Sequence, residues 1–229
     1  MNLITKIVLL LGFIGSSALY LYMIGTVDPS NDILRNSTKP LPVIFLLLLY
    51  SFESKKIDPF IISMFLLIMI ADIVSSALDM FWLAIVIYGV ANMMLVKMMY
   101  QTLSNKGKKE IPVYFGVSVI LFLIVFVFVI QDKGDCYFSI LFYGLTVSLL
   151  FTIALLNYKY KMIFANGLLF FTIGVRVISD CIYAVVIFNI SNVYYDLVSL
   201  SIWVISCFLF YKSFILREKH FNFNQSLNE

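Results

Sequence analysis

The sequence predicts an all-α fold: a polytopic membrane protein with eight transmembrane helices in one bundle. Hydrophobic residues make up 62% of the 229 positions and charged residues only 13%, whereas soluble domains average about 45–50% and 25%. Long apolar runs recur along the whole chain, and a helix needs about 20 such residues to cross a bilayer. The net charge of +3 is too small to indicate a nucleic-acid partner. The composition therefore excludes a soluble enzyme and predicts a lipid bilayer as the surroundings.

The first two predicted spans differ in length. Residues 4–25 hold an apolar run of about 18 residues, longer than the core of a signal peptide, so we expect a retained helix. The second span, residues 40–52, reads PLPVIFLLLLYSF and begins at Pro40 and Pro42. Proline is tolerated in a first helical turn but not in a helix interior. A helix this short is not expected to cross the bilayer unaided.

The remaining six spans are predicted at residues 59–78, 80–103, 111–130, 136–157, 162–188 and 193–216. The junction near Asp79 is so short that the third and fourth helices must form a hairpin. No shift in composition marks a second domain. We predict one transmembrane domain over residues 1–217 and a polar cytoplasmic tail over residues 218–229.

The basic residues predict the orientation. With the N-terminus in the cytoplasm, only Arg35, Lys39 and Lys133 of the 16 lysine and arginine residues fall in outer segments. Cytoplasmic loops of membrane proteins carry an excess of Lys and Arg. We therefore expect both termini in the cytoplasm. As a separate expectation, we place the chain in the inner, cytoplasmic membrane of a bacterium.

Cysteine and histidine are too few for most metal or disulfide chemistry. Cys136, Cys181 and Cys207 show no paired spacing, and the single histidine, His220, lies in the C-terminal tail. We expect no disulfide framework, no metal site and no cofactor. A Ser–His catalytic pair inside the membrane is excluded, because no histidine lies within a span.

Polar side chains inside the spans are the candidate functional residues, because burying them is costly unless they are paired or hydrated. Two stripes of them follow the three–four–seven spacing that places residues on one helix face. The stripes suggest a polar cavity that is open to one side. Their members are Asp72, Ser75, Ser76 and Asp79 on the third span, and Arg176, Ser179, Asp180 and Tyr183 on the seventh.

Three further polar residues are Lys39 at the mouth of the second span and Asn92 and Lys97 on the fourth. A purely structural reading stays open for several candidates. Arg176 and Asp180 are spaced i,i+4 and can neutralise one another, and Lys97 can extend to the cytoplasmic side. Asp72 has no cation near it in the sequence, and the structural reading leaves it unexplained.

Three segments carry a resemblance to a known family: KPLPVIFLLLLY at residues 39–50, IADIVSSALDMFWLAIVIYGVANMMLVKMMY at 70–100, and FFTIGVRVISDCIYAV at 170–185. In their order and spacing the chain resembles the lysoplasmalogenase-type (YhhN-like) integral membrane proteins. The resemblance implies an eight-helix fold and cleavage of the vinyl ether bond of lysoplasmalogens. The chain departs from the family at Ala71, where glycine is usual, at Asn92, where histidine is common, and at Arg176 or Val177, where phenylalanine is usual.

The resemblance implies that Asp72 and Asp180 are the catalytic residues and that a lysophospholipid is the substrate. Vinyl ether hydrolysis needs an acid that protonates the β-carbon and a carboxylate that stabilises the resulting oxocarbenium ion. Asp180, one turn from Arg176, is expected to be ionised, and Asp72 is expected to be the protonated acid. The expected substrate contacts are Lys39, on the phosphate, and Arg176, Ser179, Asn92 and Tyr183.

Two other functions stay open. A non-enzymatic membrane protein, either a small-solute or proton transporter or a lipid-binding scaffold, could use the same charged pair, for instance in a proton relay. Transporters often have broken helices in matched halves of the chain, whereas here only the second span is short. A different intramembrane hydrolase acting through two aspartates would show a similar pattern.

Overall fold

The computed structural model describes residues 2–27, 31, 34, 36–78, 80–129, 136–189 and 192–226. These residues contain eight helices and no strand, which confirms the predicted all-α class. Asp79 and the outer-loop residues Arg35 and Lys133 lie outside the described residues. The helices are α1 Leu3–Thr26, α2 Leu41–Glu53, α3 Pro59–Ala77, α4 Phe81–Gln101, α5 Asn105–Val129, α6 Tyr137–Tyr160, α7 Phe164–Phe188 and α8 Val193–Ser226.

Two helix boundaries differ clearly from the predicted ones. Helix α5 begins at Asn105, within a lysine-rich segment that the hydropathy pattern assigns to a loop. The Ser104 hydroxyl accepts a hydrogen bond from the Gly107 amide at 3.1 Å, which is typical of an N-cap. Helix α8 continues past the predicted end at residue 216 as far as Ser226. Both extensions are rich in polar residues, so a search for apolar runs does not detect them.

Six of the helices are long and apolar enough to cross a membrane, among the residues described. Helix α2 has only 13 residues, which rise about 20 Å, whereas the hydrocarbon core is about 30 Å thick. Helix α3 is also among the shorter apolar helices. The chain is therefore compatible with an integral membrane protein in which six helices meet the length criterion.

Seven helices form a ring. Each helix packs against the next in the order α1, α2, α3, α4, α6, α7 and α8. The ring closes because α8 packs against α1, and it also contacts α2. The hydrophobic core fills one part of this ring, with fully buried aromatic side chains such as Tyr20, Tyr50, Phe65 and Tyr211. The α3/α4 hairpin predicted around Asp79 is present.

Helix α5 lies outside the ring, against α6 and α7. Only 6% of the residues in its most apolar 18-residue stretch are buried, and Val113, Ile120 and Phe128 are exposed. Side-chain hydrogen bonds, such as that between the Ser118 and Thr152 hydroxyls at 3.1 Å, and one close approach of the helices fix it to α6. A Cβ atom on Gly144 would lie 2.0 Å from the Phe122 ring, so only glycine admits that ring. An apolar helix exposed in this way suits a position facing lipid.

Candidate functional site

Asp72 is the centre of a buried polar group inside the ring. It lies on α3 with no exposed surface. Lys39, in the turn before α2, places its Nζ 3.2 Å from Asp72 Oδ1. The Tyr88 hydroxyl on α4 donates a hydrogen bond to the same oxygen. A cation and a phenol therefore hold this carboxylate, which accounts for a buried acid that has no cation near it in the sequence.

Asp180 is the centre of a second group of the same composition. Arg176, one turn earlier on α7, donates from Nε to Asp180 Oδ1 at 3.1 Å. The Tyr143 hydroxyl on α6 donates to Oδ2 at 2.5 Å. The i,i+4 ion pair predicted from the sequence is therefore formed. The Asp180 side chain retains 26% of its exposure, so it is more open than Asp72.

The two groups meet through Arg176 and Tyr88. The Arg176 guanidinium lies 5.5 Å from the centre of the Tyr88 ring and 5.8 Å from that of Trp203 on α8. A guanidinium over an aromatic face at this distance is attracted by the ring. Tyr88 thus contacts Asp72 through its hydroxyl and Arg176 through its ring, and the polar stripes of α3 and α7 face one region.

A cavity of about 130 Å³ lies at this point. Lys39, Arg176, Ser179, Asp180 and Tyr183 all border it, and the remaining wall is largely apolar, with Phe81, Ile85, Ile140, Ile187, Phe188 and Leu200 among its residues. Asp72 lies behind the wall, which its partners Lys39 and Tyr88 help to form. The cavity therefore combines an apolar surface with two cations and one accessible carboxylate.

Ser179 and Asn92 have other surroundings than expected. The Ser179 hydroxyl donates to the backbone oxygen of Ser199 at 2.7 Å, so it ties α7 to α8 at the edge of the cavity. Asn92 does not border the main cavity. It lines a separate void of about 20 Å³ with Tyr88, Tyr143 and Arg176, and its buried Nδ2 has no hydrogen-bond partner within the described part of the chain.

Lys97, Asp79 and Ser76 do not add to the site. The Lys97 ammonium lies 4.9 Å from the centre of the Phe60 ring, away from the cavity. Asp79 and the side chain of Ser76 are outside the described residues. Only Asp72 and Ser75 therefore represent the predicted α3 stripe here, and Ser75 borders the cavity.

Sequence reasoning missed the two tyrosines. Tyr88 and Tyr143 each donate to one of the aspartates, yet the chain contains 14 tyrosines and nothing in their spacing distinguishes these two. It also missed the Lys39–Asp72 pair, because the partners belong to different helical segments. Among the residues described, no cluster of three or more His, Cys, Asp or Glu could hold a metal ion.

No family model, curated protein or solved structure matches this chain at a significant level.

Proposed function

We propose that the protein is a membrane hydrolase that cleaves the vinyl ether bond of a lysoplasmalogen, giving a fatty aldehyde and a glycerophospho-base. The observation that carries the proposal is the Asp180–Arg176–Tyr143 group at the wall of an apolar cavity. It supplies a carboxylate and a cation where an apolar chain can lie. The resemblance of three sequence segments to the lysoplasmalogenase-type proteins supports the same activity.

The surroundings of the two aspartates change the roles expected from the sequence. Asp72 is fully buried and ion-paired with Lys39 behind the cavity wall, so it cannot reach a substrate and does not suit the role of the acid. Asp180 borders the cavity and can reach a substrate. We therefore assign proton transfer to Asp180, and we assign to Asp72 the positioning of Lys39 and Tyr88 at the wall.

The chemistry can be balanced with one carboxyl group. Protonated Asp180 donates its proton to the β-carbon of the vinyl ether, which leaves a carboxylate beside the new oxocarbenium ion. Water adds to the cation and returns its proton to Asp180. The hemiacetal then collapses to aldehyde and alcohol, with its hydroxyl proton passing to the departing oxygen. Acid–base catalysis of this kind contributes about 10²–10⁴-fold to a rate.

The cations at the cavity wall can also bind the substrate. In the resting arrangement Arg176 is ion-paired with Asp180. A phosphodiester that enters the cavity competes for Arg176 and Lys39, because both guanidinium and ammonium groups bind phosphate. When Arg176 turns to the phosphate, the Asp180 carboxyl group is released from its ion pair and can approach the vinyl ether.

The size of the cavity limits what it holds. Drug-sized ligands fill pockets of about 300–1,000 Å³, so about 130 Å³ admits the reacting bond and a short length of chain. The rest of the alkenyl chain extends into the bilayer.

We further propose that α2 and α3 also lie within the membrane, which is that of a bacterial cell. Both termini face the cytoplasm, since the basic residues are distributed in that way.

The test is aldehyde release from a lysoplasmalogen by the purified full chain in lipid nanodiscs. We expect wild-type protein to release fatty aldehyde and to leave the saturated ether analogue intact, because only a vinyl ether can be protonated at carbon. Asp180→Asn should lower the rate by about 10²–10⁴-fold. Glu110→Gln is the matched control, because it also neutralises one carboxylate but pairs with Lys159 far from the cavity.

Retention of the wild-type rate in Asp180→Asn would refute the assignment of proton transfer. Absence of aldehyde release from correctly folded wild-type protein would refute the activity itself. Cleavage of the saturated ether at the same rate would exclude carbon protonation as the mechanism.

One observation favours a lipid-binding scaffold as the second candidate. Each carboxylate is already neutralised by a cation within about 3 Å, as expected of a structural ion pair. A scaffold would bind a lysophospholipid with and without the vinyl double bond equally well and would release no aldehyde. The same assay, with lipid binding measured in parallel, therefore separates the two functions.

A further inference from the structure

A second cavity lies at the opposite end of the bundle, where α4 and α6 end and α7 begins. Its volume is about 310 Å³. Phe164, the first residue of α7, and Asp180 belong to the same helix and are separated by about 24 Å along its axis at 1.5 Å per residue. The cavity is therefore distinct from the candidate active site.

The lining of this cavity is polar and basic. Arg217, Lys161 and His220 border it together with Thr102, Asn157 and Asn166, and Ile163 is the one apolar residue among them. None of the described residues that line it is acidic. Arg217 and Lys161 are basic side chains, and both face a space that is larger than the cavity at Asp180.

Arg217 is held in place inside the protein. Arg217 is only 6% exposed, and its Nη2 donates a hydrogen bond to the Thr102 hydroxyl. Lys161 donates from Nζ to the Thr102 backbone oxygen at 3.0 Å. The two cations thus converge on the end of α4. An ammonium has three donor hydrogens and a guanidinium has five, so each can bind a ligand while keeping these contacts.

The amide side chains around the cations are fixed as well. Asn157 donates from Nδ2 to the Met99 oxygen at 3.1 Å, and Asn166 donates to the Lys161 oxygen at 3.0 Å. Thr102 and Asn157 are hydrogen-bonded to each other at 3.3 Å. The wall is therefore preorganised, which lowers the entropy lost when a ligand binds.

The start of α7 adds to the positive potential. The N-cap residue of this 25-residue helix is Ile163, which makes no side-chain capping hydrogen bond and borders the cavity. The first backbone N–H groups of a helix and the positive end of its dipole favour an anion. This effect reinforces the two cations and would not by itself define a site.

Two carboxylates lie nearby but border a neighbouring cavity. Asp58 and Glu218 line a space of about 440 Å³ on the other side of Arg217. Asp58 accepts a hydrogen bond from the Phe60 amide at 2.9 Å. Glu218 accepts from the amides of Lys55 and Lys56 at 2.7 and 2.9 Å. Asp58 also attracts Arg217 electrostatically, but neither acid borders the basic cavity itself.

We propose that the basic cavity at the end of α4, α6 and α7 is a binding site for a phosphate group, held by Arg217 and Lys161 with His220 beside them. Guanidinium binds phosphate oxygens through paired, charge-assisted hydrogen bonds. The phosphate belongs either to an anionic lipid headgroup or to a soluble phosphate compound, since this end of the bundle is predicted to face the cytoplasm. The site does not depend on the proposed hydrolase activity.

The test measures phosphate binding by the purified full chain. One arm titrates inorganic phosphate into protein in phosphatidylcholine nanodiscs and follows the thermal unfolding midpoint. The other arm adds phosphatidylglycerol to the nanodiscs and identifies retained lipid by native mass spectrometry. Binding in the first arm indicates a soluble compound, and binding in the second arm alone indicates a lipid headgroup.

Lys161→Gln should weaken the observed binding by about tenfold or more, as expected for the loss of a charged hydrogen bond. Lys159→Gln is the matched control, because it removes the same charge only two residues away in the sequence. The Lys159 side chain contacts Glu110 and Tyr114. We expect this control to bind as wild type. Arg217→Gln should abolish binding, and Lys161→Gln decides the outcome if Arg217→Gln does not fold, because Lys161 is exposed.

Three results would overturn the proposal. The first is that wild-type protein binds in neither arm. The second is that Lys161→Gln binds as well as wild type. The third is that Lys159→Gln weakens binding as much as Lys161→Gln. The last result would mean that diffuse positive charge, and not this cavity, attracts the anion.

Discussion

The two acid groups have the same composition but differ in accessibility. Each contains an aspartate, a cation and a tyrosine hydroxyl: Asp72 with Lys39 and Tyr88, and Asp180 with Arg176 and Tyr143. The Asp72 side chain has no exposed surface, whereas that of Asp180 keeps 26%. The first pair joins two separate helical segments, and the second lies within one helix.

This difference indicates which ion pair stabilises the fold and which one can take part in the reaction. An ion pair between distant segments fixes their relative position, and it is costly to break when water cannot reach the remaining charge. An ion pair within one helix at a cavity wall can exchange its partner for a ligand. We therefore expect changes at Asp72 mainly to affect stability and changes at Asp180 mainly to affect activity.

The largest stability effect is expected for Asp72→Ala. It leaves the Lys39 ammonium buried without its counter-charge, and removal of one partner of a buried ion pair costs about 3–5 kcal/mol. Thermal or denaturant unfolding in detergent measures the loss. The double variant Lys39→Met with Asp72→Leu should recover much of the stability, because no isolated charge remains. A loss no greater than that of Asp180→Ala would remove the distinction between the two groups.

A smaller difference is expected between the two tyrosines. Tyr88→Phe keeps the ring over Arg176 but removes the donor to a fully buried carboxylate, which costs about 1.5–3 kcal/mol for a hydrogen bond to a charged group. Tyr143→Phe should cost less, because water in the cavity can replace the lost donor at Asp180. The free energies of unfolding of the two variants, measured side by side, check this order. Equal losses would contradict it.

The smallest stability effect is expected for Asp180→Asn, about 1 kcal/mol, as for a partly exposed ion pair. The amide can still accept from Tyr143. Combined with the loss of activity proposed above, this near-neutral stability would separate a catalytic defect from misfolding. Glu110→Gln should leave the unfolding midpoint unchanged. An Asp180→Asn protein as unstable as Asp72→Ala would instead assign Asp180 a structural role.

The sequence predicted the parts of the site that are local in the chain. Spacing alone placed Arg176 and Asp180 on one face of one helix, and their ion pair is present. Hydropathy placed the apolar helices and the α3/α4 hairpin. The polar start of α5 and the polar end of α8 were not predicted. Capping by Ser104 determines the first, and tertiary contacts determine the second.

The parts that depend on distant segments could not be predicted in the same way. Nothing local indicates that Lys39 turns inward to Asp72, since a lysine before a helix can equally face water. Arg217 comes directly after the last predicted span, and its burial beside Thr102 follows only from how α8 packs. Whether all eight helices span the membrane stays a prediction, because α2 and α3 are short.

The shortness of α2 has a consequence for how lipids approach the protein. Its Glu53 end is ion-paired with Lys6 near the start of α1 at 2.7 Å, and we expect this end to lie close to one surface of the hydrocarbon layer. A rise of about 20 Å leaves the Lys39 end about 10 Å below the opposite surface. With α2 placed in the membrane as proposed, we expect the bilayer to be thinner at this end. A lipid headgroup could then reach Lys39 by moving sideways while its chain stays in the hydrocarbon layer.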